Sequence, residues 1–173
     1  MQIEEQDLKF HFIFPAQTQP EWAAKVERWY QLDSPSFGLC DFYFQCLRGN
    51  KKPDLIILAS SQGSVGTDRA FTQTGALSPA KFVHTLPSVR ASSLCQVMEW
   101  SGPVLCIQNG ISSFNTAVEE ARMFLQRANT QTNPAASPIV WVLAVDSNET
   151  QNWILGKVLR ALHYETESIN LAR

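Results

Sequence analysis

An α/β domain built on a largely buried sheet is the fold class this sequence predicts, and three features predict it. Continuous apolar runs recur at Leu55-Ile56-Ile57-Leu58, at Val104-Leu105-Cys106-Ile107 and over Ile139 to Val145, with the length and β-branched content of strands covered on both faces. Between them lie stretches with apolar residues at helical spacing, the clearest being Phe114, Ala117, Val118, Ala121, Phe124 and Leu125. Turns rich in Gly, Pro and Ser separate the two kinds of segment. At 173 residues, 45% hydrophobic and 17% charged, the chain fits a single domain, 1–173, that can bury a proper core.

Residues Leu8 to Phe14 alternate and carry Phe10, Phe12, Ile13 and Phe14, which predicts a first strand before Pro15 and Pro20. Pro20 to Leu32 places Trp22, Ala23, Val26, Trp29 and Tyr30 at helical spacing behind a helix-compatible proline, and Asp33-Ser34-Pro35-Ser36 breaks that helix. Phe37 to Leu47 is aromatic-rich and fits either a short helix or a strand. The strand at Leu55 to Leu58 runs into the small-residue loop Ser60 to Thr67. Backbone amides there could cradle a phosphate or pantetheine, but the spacing is neither GxGxxG nor GxxxxGKS/T, which favours a plain connection.

Ser78-Pro79 opens a helix carrying Phe82, Val83 and Leu86, which Pro87 kinks or ends. A second stripe, Val89, Leu94, Val97, Met98 and Trp100, leads to the turn at Ser101-Gly102-Pro103. Asn129 to Ser137 is a polar linker. Asn148 to Tyr164 reads as a last amphipathic helix, with Trp153, Ile154, Val158, Leu159 and Leu162 on one face and a frayed tail after it.

The chain is organised around Gly102 to Ala128. A buried strand, Val104 to Ile107, is followed by Asn109-Gly110, which tolerates tight backbone angles, and by Ser112 or Ser113 as the cap of the next helix. Strand, sharp turn, helix is how many enzymes lift a nucleophile to a helix N-terminus. Here the tip is Ile111, which has no nucleophilic atom. The helix backs its apolar stripe with Glu119, Glu120, Arg122, Gln126 and Arg127, so one of its faces is wet or meets polar groups.

Composition excludes several classes of function. A formal charge of −2, with no basic run longer than Lys51-Lys52, argues against nucleic acid. Cys40, Cys46, Cys95 and Cys106 form no CxxC pair and sit among apolar neighbours, so buried reduced thiols are expected and no metal site. The acidic N-terminus lacks the regions of a signal peptide and no apolar run reaches membrane-spanning length, so a soluble cytoplasmic protein that uses no membrane is expected. His11, His84 and His163 lie in separate segments with no spaced carboxylate or thiol beside them, and surface or structural roles suit them best. Asp68 and Arg69 suit a surface pair, and Asp146 suits either a cleft or a helix cap.

Residues Leu77 to Ala121 resemble the N-terminal half of a β-ketoacyl synthase of the thiolase-like fold. The shared features are Leu-Ser-Pro before a helix, a Gly-Pro turn, a strand, and an elbow followed by Ser-Ser and an Ala-rich helix. The likeness covers roughly residues 53–147; the C-terminal segment 148–173 lies beyond it. It implies half of a thiolase-like fold, a mixed, mostly buried sheet with helices on both faces. In active members the elbow is Ala-Cys-Ser-Ser and its Cys is acylated from a carrier-protein thioester. In this chain Ile111 takes that place, between Gly110 and Ser112-Ser113. The resemblance therefore implies no catalytic residue, no metal and no cofactor, and histidines that would assist condensation belong to a second half that this sequence does not contain.

Chain-length factors are such Cys-less relatives, which pair with an active ketosynthase in polyketide, aryl polyene or fatty acid synthesis. On that resemblance Val104, Leu105, Cys106, Ile107 and Gln108 form a strand pairing across the subunit interface. Asn109, Gly110, Ile111, Ser112 and Phe114 then lie at the elbow and tunnel mouth. Acyl carrier protein is a further expected partner, with Arg48, Lys51, Lys52, Lys81 and Arg90 as a docking patch if they converge. Two rival readings are a small free-standing acyl-thioester enzyme, with Ser61, Ser64, Ser112 or Cys106 as nucleophile, and a carrier-protein or acyl-chain binding module.

Overall fold

The computed structural model describes residues 2–61, 72–73, 87–131, 137–147 and 152–162. Five strands, β1 (Gln2–His11), β2 (Leu55–Ala59), β3 (Val104–Ile107), β4 (Ile139–Ser147) and β5 (Asn152–Leu162), form one sheet in the order β1-β5-β4-β2-β3. β2 is parallel to both β3 and β4, whereas β5 runs antiparallel to its neighbours β4 and β1. The sheet is therefore mixed. Its central strands are apolar throughout, because both sides are covered: every residue of β2 is buried.

Alternation along the strands sorts the core into two layers. Ile56, Leu58, Trp141, Leu143, Val145, Ile154 and Val158 meet the helices α1 (Ser34–Phe42) and α2 (Pro87–Met98). On the opposite face, Ile57, Val140, Val142, Ala144, Leu159 and Ala161 meet α3 (Ser113–Gln131) through its buried Ala117, Val118, Ala121 and Leu125. The small alanines let α3 lie close to the sheet, and its charged residues face outward, as its sequence predicts. Helices thus cover both faces.

Several segments differ from their sequence-based expectation. The first strand begins at Gln2, not Leu8, and ends before Phe12 to Phe14. Its polar start needs no apolar face of its own, because it is an edge strand whose carboxylates pair with cations: Glu5 with Lys157 and Arg122, Asp7 with Lys157. Pro20 to Leu32 forms two short 3-10 turns, Glu21–Lys25 and Trp29–Gln31, and not an α-helix. Val26 is extended (φ −128°) between them, which lets Trp22, Val26 and Leu32 all turn into the core. Asp33 does not merely break a helix but starts one. Its carboxylate accepts the Ser36 N–H at 3.0 Å, a cap worth about 1 kcal/mol. Phe37 to Leu47 resolves as the rest of α1 and a π-turn. Pro87 is the first described residue of α2, and the segment before it, which it was expected to kink or end, lies outside the described residues.

The largest correction concerns Asn148 to Tyr164, where a last amphipathic helix was expected. Asn152–Leu162 is instead β5, hydrogen-bonded on both sides. Gly156 is the residue that decides it: a helix interior disfavours glycine by about 1 kcal/mol, while here its bare Cα faces the Phe42 ring, 2.7 Å from where a Cβ would stand. The loop through Ser64 and Thr67, the Ser78-Pro79 helix, most of the 129–137 linker, His84, His163, Lys81, the Asp68-Arg69 pair and the tail lie outside the described residues.

Candidate functional site: the β3 edge and its elbow

Val104 to Phe114, the residues expected at an interface and elbow, run along one border of the sheet and into the start of α3. β3 was expected to be buried; it is the edge strand, with Leu105 and Cys106 exposed and Val104 and Ile107 half-buried. Its apolar run does not mean burial here, because among the described residues β3 has a neighbour only on the β2 side. The Ile56 N–H donates to the Pro103 carbonyl and the Ser60 N–H to the Ile107 carbonyl, each at 3.1 Å. Backbone groups alternate sides along a strand, so Val104, Cys106 and Gln108 turn theirs to the open edge. The two borders of the sheet contrast sharply in chemistry. β1 carries Glu4, Glu5, Asp7 and Lys9, the usual protection of an edge, whereas β3 carries no charge, proline or bulge.

Beyond β3 the chain turns through Asn109 and Gly110, whose φ of 54° is left-handed and suits glycine. Ser113 fastens this turn. It is 2% exposed; its Oγ accepts the Asn109 N–H at 2.7 Å and can donate to the Ser60 carbonyl at 2.9 Å, tying the elbow to the end of β2. Of the two serines expected as cap, Ser112 is the residue preceding α3, and its carbonyl accepts the Thr116 N–H at 2.9 Å. Asn109 Nδ2 reaches Thr116 Oγ1 at 3.1 Å. On this fastened turn Ile111 stands 98% exposed, while Phe114, one helical step on, is half-buried against the α3 layer.

No protein-family model matches the sequence, and no curated protein matches it. Among solved structures, a ketosynthase (ApeO) in complex with its chain length factor (ApeC) from Xenorhabdus doucetiae is similar, with a TM-score of 0.63 and 16% identity. The match covers 84% of this chain and 63% of that one. The fold is ketosynthase-like. This chain spans less than two thirds of the solved chain it matches and corresponds to part of a thiolase-like fold.

In this ketosynthase-like fold the candidate nucleophiles are poorly served. Cys106 was expected to pack; it is exposed at the sheet edge, as Cys46 is exposed on the π-turn, while Cys40 is buried and Cys95 half-buried. Partial desolvation pushes the Cys106 thiol up, with Arg90 pulling the other way to a smaller extent, which disfavours the thiolate a nucleophile needs. Ser113 spends its hydroxyl on the backbone. His11 lies at the end of β1, the far border of the sheet from Ser61, Ser112 and Cys106. Of the basic residues considered for carrier-protein docking, Arg90 is 5% exposed and pairs with Asp33 at 3.4 Å, and Arg48 lies over the Phe44 ring. Lys52 donates to the Glu99 carbonyl. Among the described residues no helix is long and apolar enough to cross a membrane.

Sequence reasoning missed the tie between Ser113 and Ser60, which are 53 residues apart. The one signal available was local, a serine four residues after the turn asparagine.

Proposed function

We propose that this chain is a non-catalytic ketosynthase-like subunit of the chain-length-factor type, working in the cytoplasm. Its β3 edge adds to the edge strand of an active ketosynthase that builds polyketide, aryl polyene or fatty acyl chains on a carrier protein. The observation that carries this reading is the contrast between the two sheet borders: β1 is guarded by charge, and β3 is apolar and, among the described residues, open beside an elbow tipped by Ile111. An open strand edge binds by main-chain hydrogen bonds, and the flanking apolar side chains add the affinity. Ile111, where active relatives hold their cysteine, then has a shaping role at the interface or tunnel mouth, with Phe114 beneath it. The Cys106 thiol and the engaged Ser113 hydroxyl support a subunit that leaves condensation to its partner.

The test is co-expression of the tagged chain with a ketosynthase from the same organism, with the complex sized by light scattering. A one-to-one complex is expected. Cys106→Pro should abolish it, because residue 106 turns its N–H to the open edge, and proline is tolerated on an edge strand. Ile107, whose carbonyl accepts the Ser60 N–H, faces β2, so a proline there would disturb the sheet itself. A monomer that ignores the ketosynthase, or a complex indifferent to Cys106→Pro, refutes the reading.

A further inference from the structure

A second site lies at the other end of the molecule from β3. The segment leaving β1 and the first 3-10 turn wrap past the outer face of α1 and leave a groove of about 650 Å³, within the size range of small-molecule sites. Phe10, Phe37 and Phe44 contribute aromatic wall. Asp41 stands on that wall, half-buried. Its Oδ1 accepts the Trp22 Nε1–H at 3.3 Å and its Oδ2 accepts from Gln45 Nε2 at 3.2 Å. These two neutral donors orient the carboxylate and leave its charge in place. Glu21 adds a second negative charge to the rim.

Among the described residues no lysine or arginine is itself a lining residue, although the Arg48 guanidinium covers one face of the Phe44 ring at 4.4 Å and His11 lines the groove at the end of β1; neither Asp41 nor Glu21 is in an ion pair. Two other acids that meet the body of the protein do have cations: Asp33 has Arg90, and Glu5 has Lys157 and Arg122. An oriented carboxylate on an aromatic wall, without a counter-ion, is complementary to a cation with an apolar body. We propose that the groove binds a small organic monocation, an ammonium or amidinium carried on an aryl or alkyl group. The site is separate from the β3 edge and stands or falls independently of the pairing proposed there.

Phenethylamine and benzamidine are the probes, titrated into the full chain by calorimetry and by amide chemical shifts, with 2-phenylethanol and benzamide as neutral counterparts. A Kd of about 0.1–1 mM is expected for ligands of this size. The neutral counterparts and the Asp41→Asn variant should each bind about tenfold more weakly. Asparagine keeps an oxygen for the Trp22 indole, so this variant should fold. If its circular dichroism departs from that of the parent, Glu21→Gln on the exposed rim takes its place, with about threefold weakening expected from the loss of the outer charge. No saturation below about 10 mM, equal binding of the neutral counterparts, or full affinity in whichever variant folds overturns the proposal.

Discussion

Gly156 offers a measurement whose sign separates a strand from a helix. It sits in the middle of β5, in register with Leu8 on one side and Leu143 on the other. In Gly156→Ala the new Cβ would stand 2.7 Å from Phe42 Cζ, 3.2 Å from Cε1 and 3.4 Å from Leu8 Cβ. A ring tip can often move aside, but Phe42 is fully buried and tilted against Phe10 with centroids 5.8 Å apart, so it has little room. Overpacking of this kind costs about 1–3 kcal/mol. Removing glycine from an extended segment restores about 0.5–1 kcal/mol of backbone entropy. The balance lies between about 0 and 2.5 kcal/mol of loss, with a loss of about 1 kcal/mol expected, which lowers Tm by about 2–4 °C for a chain of this size.

Urea unfolding of parent and variant, with an unchanged m-value, reads the difference directly. Phe42→Leu introduced beside Gly156→Ala should recover part of the loss, giving a coupling energy of about 0.5–2 kcal/mol. A helix at this position would instead gain about 1 kcal/mol from the same substitution. Increased stability of Gly156→Ala therefore refutes β5 as described and restores the helical reading.

Ser113→Ala deprives the Asn109 N–H of its acceptor and the Gly110 and Ser60 carbonyls of their donor, and should cost about 0.5–1.5 kcal/mol in urea unfolding, with faster hydrogen exchange at Asn109. Ile111→Lys should leave the unfolding of the isolated chain within about 0.5 kcal/mol, given its 98% exposure, yet weaken capture by the ketosynthase partner. A large loss of stability in that variant contradicts the exposed elbow tip. The Glu5 carboxyl is held below its ordinary 4.5, chiefly by the Lys157 hydrogen bond and next by Arg122, against the effect of burial. A depressed folded-state value contributes stability that is present above the unfolded value and lost as pH falls through the folded one. Glu5→Gln should therefore cost about 0.5–1 kcal/mol at neutral pH, with the difference from the parent shrinking below pH 4.5. A gap that persists at pH 2–3 (about two units lower) contradicts this linkage.

The parallel strands were legible because burial on both faces leaves an unbroken apolar run, as in Leu55 to Ala59 and Ile139 to Val145. α3 was legible from its 3.6-residue stripe, and the elbow from Asn109-Gly110. The failures have physical causes. β5 lies between two strands and under two helical layers, so apolar residues fall at odd and even positions alike, and the sequence acquires spurious i, i+4 matches such as Ile154 with Val158. β1 hides for the opposite reason, since its partners are cations that arrive from β5 and α3. Whether an apolar run is central or at an edge is a property of sheet order, which no single segment encodes. β3 was accordingly expected inside and is found at the border.

Sheet order also governs when the structure can assemble during synthesis. β1 leaves the ribosome well ahead of its pairing partner β5, which begins at residue 152. Domains emerge at 5–20 residues per second, so β1 waits about 8–30 s for the strand that will hold it. During that interval β2, β3 and α3 can close their parallel ladder from contacts nearer in the chain. The β4–β5 hairpin then delivers the last binding edge. A waiting strand is an invitation to mispair, and the carboxylates of Glu4, Glu5 and Asp7 make β1 a poor template until Lys157 and Arg122 are in place to receive them.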